Sequence, residues 1–508
     1  MNQQSLFDPV PRHRLESLSK EELIEFTDAQ QKVIEKFQKE VSRLRSLKDE
    51  LEQKSLLIED QFITIKNKLF GKSSERSPRT QITPTSPRPP KSRVLLPSER
   101  YPNAPLIERD ITLDQMPTCK CCGHEMEDSG LTEDSEFLQV IPQQYFVVRQ
   151  KRHKYRCSSC HGDIKTAPAP HRIKEGSSYS DDMIVDVALS KYCDLIPIER
   201  YASIAGREGL KDLPPQSLIE CTHNLADFLK PAYDKLQKEI LQSKVLHADE
   251  TPHRMLEGDK KHNWFLWGFS NKTTSYFECH DTRSGDIASK ILLDSKCEHL
   301  VSDVFSGYSK AVRNTNTARA QNKTPLVTHV FCNAHARRKF VEAKDRFPEE
   351  AQFFIDQYEE IYRLESSTKG KPPDEILEKR ELMRAHFEKI KQKAMQDIGG
   401  YSSKSSLGKA FRYFLENLEG LTRFLKNPEL PIDNNPQERL LRNPVIGRKT
   451  WYGTHSQRGA ETMAVLFSLV QSCKLNKINP RVYFKKLVQD LHAGKNPYSP
   501  SEFKNLSP

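Results

Sequence analysis

Five short apolar runs, each closed by polar or turn-forming residues, crowd into the stretch from Val245 to Phe331, and their order leaves few folds open. Val245 to Ala248 reads as a short buried strand, and Trp264 to Phe269 and Ser275 to Cys279 read as two more. Ile287 to Leu293 is amphipathic at helical spacing, His299 to Ser302 is again strand-like, and Leu326 to Phe331 precedes a helix beginning near Ala334. Three strands, a helix, a strand, a further strand and a helix describe an α/β domain built on one sheet. That order matches the ribonuclease-H-like fold.

Acidic residues sit where this pattern would bring them together. Asp249 ends the first run, in VLHADETPH, and Asp303 ends the fourth, in HLVSDVFSGY. Glu438 follows Asp433, Asn434, Asn435 and Pro436, a helix-start signal that places it in a first turn. Taken singly, each Asp is more readily a turn former or cap, and an early-turn Glu is an ordinary helix-dipole residue. Taken jointly, three hard oxygen donors suit Mg²⁺ or Mn²⁺, and a pair of such ions serves phosphodiester chemistry. Glu250 and Glu461 are rivals for the third position, although Glu250 would face away from Asp249 if the strand continued. Arg439, Arg442, Arg448 and Lys449, with Trp451 and Tyr452, offer a basic and aromatic surface for DNA; a solvated helix face is the plain alternative. The chain from Asp303 to Glu438 is too long for a loop, so a helical insertion is expected from about Phe340 to Leu425, broken at Lys369 to Asp374.

A second signal is Cys119-x-x-Cys122 followed by Cys157-x-x-Cys160, two thiolate knuckles of the kind that hold structural Zn²⁺. Cys121 is a spare thiol, and His124, His153 and His161 are lesser rivals; a redox dithiol is the competing reading. Between the knuckles, Phe137 to Val140 and Tyr145 to Arg149 read as a hairpin. Arg149, Lys151, Arg152, Lys154 and Arg156 follow as a basic strand suited to DNA phosphates.

With these words in hand, the chain resembles the insertion-sequence-66 family of transposases, of the Asp-Asp-Glu type. HADET, SDVFSGY, FCNAHARRKF and DNNPQERLLRNPVIGRK carry the likeness in the core. KLFGKSSER, CKCCG, KYRCSSC, LSKYCDLIPIERY and SLVQSCKLNKINPRVYFKKL extend it along nearly the whole chain, in the family's order. The resemblance implies catalytic Asp249, Asp303 and Glu438 with Mg²⁺, a zinc module, and binding of transposon ends and target DNA. Water would free a 3′-hydroxyl that then attacks the target. It also implies a homo-oligomer, accessory proteins of the element, and a place in the bacterial cytoplasm at the nucleoid. Cys332 and His335 form a Cys-x-x-His linked in such groups to the active-site region, expected here as support rather than as metal ligands. The competing function is a non-catalytic zinc-containing DNA-binding protein, a decayed transposase copy.

Composition agrees with a polyanionic partner: 79 Lys and Arg against 69 Asp and Glu give a net charge of +10. Eleven cysteines, seven of them besides the four expected zinc ligands, fit a reducing cytosol, and no signal peptide or membrane span is evident. Phe37, Leu44, Leu51, Ile58 and Ile65 recur every seven residues, with Ile34, Val41, Phe62 and Leu69 as companions, so a coiled coil is expected from Gln30 to Phe70 despite Lys48 and Ser55. The expected layout is therefore an oligomerisation region at 1–75, a basic Pro-rich linker at 76–110, a zinc module at 111–175, and a helical, DNA-binding or scaffolding segment at 176–242. Within that segment Ser217 should cap a third helix. A catalytic core at 243–345 and 430–455, an insertion at 346–429 and C-terminal helices at 456–508 complete it.

Overall fold

The computed structural model describes residues 19–70, 96–102, 104–111, 115–126, 132, 134–140, 143–158, 164–256 and 263–506. It divides into two compact units. One comprises Met1–Gly71, Arg152–Ile204 and Asp212–Pro508; the other comprises Lys72–Lys151 and Ala205–Lys211.

In the larger unit a single helix, α1 (Lys20–Phe70), starts from a reciprocal cap: Ser19 N–H donates to Glu22 Oε2 (2.8 Å) and Glu22 N–H to Ser19 Oγ (3.3 Å). Its apolar residues Ile34, Phe37, Val41, Leu44 and Leu51 stay exposed to water. A three-residue ladder follows, β1 (Lys154–Arg156) against β2 (Ile164–Thr166), antiparallel. Four helices lead into the sheet: α2 (Asp181–Tyr192), α3 (Ile198–Arg207), α4 (Pro215–Phe228) and α5 (Lys230–Leu241). Ser180 caps α2 by accepting from Met183 N–H. The third of these helices is not capped by Ser217, as the sequence suggested. Pro214 takes the cap position and Pro215 the first turn, where a missing N–H costs nothing.

The sheet is β3 (Val245–Arg254), β4 (Asn263–Ser270), β5 (Ser275–His280), β6 (His299–Ser302) and β7 (Thr328–Phe331), with α6 (Asp286–Asp294) and α7 (Ser306–Gln321) between its later strands. Its spatial order is β5-β4-β3-β6-β7. β4 runs antiparallel to both neighbours, while β3, β6 and β7 are mutually parallel. β3 does not stop at Ala248; it continues to Arg254 because β4 supplies a full antiparallel partner, with Asp249 opposite Gly268 and Arg254 opposite Asn263. The open edge at β5 is covered by a later helix: Ser468 Oγ accepts from Phe277 N–H (2.8 Å) and Ser472 Oγ from Ser275 N–H (2.9 Å).

After β7 come α8 (Asn333–Ala343) and an all-helical excursion, α9 (Pro348–Ser366), α10 (Pro373–Asp397) and α11 (Ser406–Thr422). Phe340, Phe354, Tyr358, Phe387, Phe411, Phe414 and Phe424 make its aromatic core. Inside it the Arg380 guanidinium is satisfied by Glu365 and by the carbonyls of Phe424, Asn427 and Leu430. The chain then returns to the sheet as α12 (Asn435–Trp451) and closes with α13 (Gln457–Leu475), α14 (Pro480–His492) and α15 (Pro500–Leu506). The protein is a mixed α/β molecule with a helical majority around one five-stranded sheet. Among the described residues no helix is long and apolar enough to cross a membrane.

In the smaller unit the expected hairpin is absent. Residues 137–140 and 145–149 carry no strand, and Phe137, Val140, Phe146 and Val147 are exposed. Alternating apolar residues specify a strand only where a core covers one face, and none does here.

Candidate active site

The floor of the site is set by strand register. Val245 pairs with His299 and His247 with Val301 across the parallel β3/β6 ladder, and Asp249 and Asp303 keep that same offset just beyond the paired residues. Adjacent strands lie about 4.8 Å apart, and the two acids feel each other's charge, although Asp303 follows the end of its strand and does not line the cleft itself. Asp303 Oδ1 accepts from Phe305 N–H (3.0 Å), and Asp249 Oδ1 accepts from Glu250 N–H (2.9 Å).

Glu438 arrives from the far side of the insertion, and Asn434 fixes its approach. The Asn434 amide donates to Ala248 C=O (2.8 Å), its oxygen meets His247 Nδ1 (2.8 Å), and its backbone N–H donates to Cys332 Sγ (3.1 Å). Three separate stretches, β3, the end of β7 and the start of α12, are thus tied by one residue, its side chain to β3 and its backbone to Cys332. Asn333 adds a second tie, donating from Nδ2 to Leu421 C=O (2.9 Å) and Ile432 C=O (3.1 Å). Helix α12 lies so close to β4 that a Cβ on Gly268 would come within 2.1 Å of Gln437 Nε2, which is why glycine stands opposite Asp249.

The result is a cleft of about 490 Å³ lined by Asp249, Glu250, Thr251, His335, Asn435, Glu438, Arg439 and Arg442 among others. Burial pushes the Asp249 carboxyl well above its ordinary range, and the charges of Glu250, Asp303 and Glu438 push it further in the same direction. The two rivals for the third carboxylate are placed otherwise. Both oxygens of Glu250 are taken: Tyr308 O–H donates to one (2.5 Å) and Arg283 Nε to the other (2.7 Å). Glu461 lies on α13, where Gln457 donates to it (2.9 Å). Glu438 Oε1, by contrast, is buried without a hydrogen-bond partner, and so is His335 Nδ1, 3.7 Å away. An acceptor left open in this way is a ready ligand atom.

Of the basic residues expected to meet DNA, Arg439 and Arg442 line the cleft, Arg448 reaches Thr251 Oγ1 (3.4 Å) and Lys449 is exposed. Trp451 is not an open stacking platform. It packs edge-on against Tyr192, under Lys191, whereas Tyr452, in a left-handed conformation, is exposed. Arg149, Lys151 and Lys154 are exposed, and Arg152 donates to Ala167 C=O (2.7 Å). Tyr308, Arg283, Arg338, Gln437, Asn333 and His247 were not singled out in the sequence, and Asn434 was read only as part of a helix start; the polar residues beside Cys332 and Glu438 in FCNAH and DNNPQE were the available signal.

The first cysteine knuckle is a tight local turn. Cys119 N–H donates to His124 C=O (2.7 Å), Gly123 N–H to Cys119 C=O (2.9 Å), and Gly123 takes φ +73°, which glycine allows freely. The sulfurs of Cys119, Cys121 and Cys122 lie within 4.8 Å of one another, so the spare thiol joins the pair expected from spacing. Backbone N–H groups of Cys121 and Cys122 lower Cys119 to about 7, which readies a thiolate for a metal. Cys157 is exposed and belongs to the other compact unit; Cys160 lies outside the described residues.

Comparison with known proteins assigns these parts. Residues 117–161 match the zinc-finger binding domain of transposase IS66, so the cysteine cluster is that of a zinc-finger-bearing transposase class. Residues 176–462, more than half of the chain, match the model described as Transposase IS66 family, and the chain belongs to that family. Its relatives include two uncharacterized proteins of Sinorhizobium fredii, both 27% identical. One, y4hP, aligns over 74% of this chain and 71% of its own length; the other, y4jD, over 74% and 75%.

Proposed function

We propose that this transposase cuts and joins DNA strands at the ends of its element in a divalent-metal-dependent reaction, with Asp249, Asp303 and Glu438 as the metal-holding carboxylates of a ribonuclease-H-like sheet. The observation that carries this reading is the clustering of acids in the cleft: Asp249 is destabilised as an anion by burial and by its acidic neighbours, while Glu438 Oε1 accepts no hydrogen bond. Such a donor set fits Mg²⁺ or Mn²⁺. Bound there, the ions would activate the attacking oxygen and stabilise the leaving one in an in-line displacement.

The protein's own residues supply the rest. Asn434 and Asn333 hold α12 so that Glu438 stays over the strand ends, and Arg283 with Tyr308 keeps Glu250 from competing for the cations. Arg439 and Arg442 on the cleft wall, with Arg448 and Lys449 on the same helix, take phosphates of the element end and the target. The zinc module, with Cys119, Cys122, Cys157 and Cys160 as ligands and Arg149, Lys151, Arg152 and Lys154 as phosphate contacts, reads or grips the ends. Helix α1 pairs protomers so that two ends are held together, accessory proteins of the element join the complex, and the reaction takes place on the nucleoid in the cytoplasm.

The test is a strand-transfer assay with the flanking inverted repeats and Mg²⁺. Asp303→Asn should reduce cleavage to the level seen without divalent metal while end binding persists, because an amide cannot replace the charged ligand. Cleavage retained by that variant rejects the assignment. End binding without cleavage by the unaltered protein would leave the decayed, non-catalytic copy as the better reading.

A further inference from the structure

We propose that Cys332, His335 and Glu438 form a binding site for one thiophilic divalent cation of the Zn²⁺ class, separate from the cysteine module and sharing Glu438 with the carboxylate cleft. One sulfur, one imidazole nitrogen and one carboxylate oxygen, drawn from the start of α8 and the first turn of α12, lie within 4.8 Å of one another. A thiolate, an imidazole and a carboxylate are a donor set that selects Zn²⁺ or Co²⁺ over Mg²⁺.

The spacing suits a bridging cation better than a direct hydrogen bond. His335 Nδ1 and Glu438 Oε1 are both buried and unpartnered, yet stand 3.7 Å apart, too far to bond to each other. Ligands at about 2.0–2.1 Å from a tetrahedral zinc are separated by roughly 3.4 Å, so a small closure places one cation between them. Cys332 is fully buried, and its sulfur already receives the Asn434 N–H at 3.1 Å, the kind of contact that orients and stabilises a metal-bound thiolate. Arg338 lies 3.8 Å from the other oxygen of Glu438, which restricts a cation to the Oε1 side. Three protein ligands leave a fourth position open to water or a phosphate oxygen. Because Glu438 serves both sites, the thiophilic ion competes with Mg²⁺ for that carboxylate.

The inference is tested on the full chain with metal alone, without DNA. Titration with Co²⁺, read by thiolate-to-metal absorption and by metal content after desalting, should give about one more bound ion in the unaltered protein than in His335→Gln or Cys332→Ser. Cys119→Ser should lose its cobalt signal independently of those two. His335 is partly exposed, so His335→Gln carries the test even if the buried Cys332→Ser fails to fold. Equal metal content and identical spectra for the unaltered protein and a folded His335→Gln overturn the site. That result would leave the DNA-cleavage reading untouched, since Asp303→Asn tests it separately.

Discussion

The carboxylate cleft and the cysteine turn both gather side chains able to bind a cation, and they do so over very different stretches of chain. Cys119, Cys121 and Cys122 meet within four residues, through backbone bonds from Cys119 to His124 and from Gly123 to Cys119. Asp249 and Glu438 come to line one cleft, with Asp303 at the end of the neighbouring strand, only after a sheet has set its register and an aromatic helical insertion has folded back so that Asn434 can bond to Ala248 and Cys332. A local turn around exposed thiols has little core of its own and draws its stability from metal. The cleft is held by packing and by buried hydrogen bonds, so its geometry precedes any ion.

That contrast can be broken most directly by stripping zinc. Chelation should loosen the module enough for limited proteolysis to cut within 117–161 while the sheet and its far-ultraviolet signal persist; simultaneous loss of both would mean the two regions fold as one. Next in size is Asn434→Ala, which leaves Ala248 C=O and His247 without their partner and should cost about 2–4 kcal/mol in urea unfolding, with zinc content unchanged. A cost below about 0.5 kcal/mol would show that the insertion holds α12 without this tie.

Deleting residues 1–75 should convert an oligomer into a monomer in light scattering, because α1 otherwise presents Phe37, Leu44, Leu51 and Ile58 to water. An unchanged mass would move the interface elsewhere. The smallest effect is a pH-dependent one. Folding raises the Asp249 carboxyl, so the folded chain holds that proton more tightly than the unfolded chain; its contribution favours folding as pH falls through the raised value and is lost as pH rises. Mg²⁺ substitutes for the proton as counter-charge, so it should raise Tm more at about pH 8 than at about pH 5. The reverse order would place the ion away from Asp249.

Much of the sheet was legible because its strands are short, apolar and punctuated. His299 to Ser302 was read with its observed ends, and Trp264 to Phe269, Ser275 to Cys279 and Ile287 to Leu293 fell within one residue of theirs. β3 ran on past Asp249 because its length is set by β4 across the ladder, a non-local partner that periodicity does not report. The hairpin expected at 137–149 failed for the opposite reason: the pattern was present and the covering layer was not.

What the sequence determined alone was local: the breaks between helices, the turn that clusters Cys119 with Cys121 and Cys122, the heptad stripe of α1 and the identity of the acids. Tertiary structure decided which acid stays open. Glu250 and Glu438 are equivalent as residue types, yet one is closed by Tyr308 and Arg283 from α7 and the loop before α6, while the other keeps a buried oxygen free beside His335. Partners that arrive from distant chain segments set the availability of a carboxylate, and their arrival depends on packing energies that no single stretch of sequence contains.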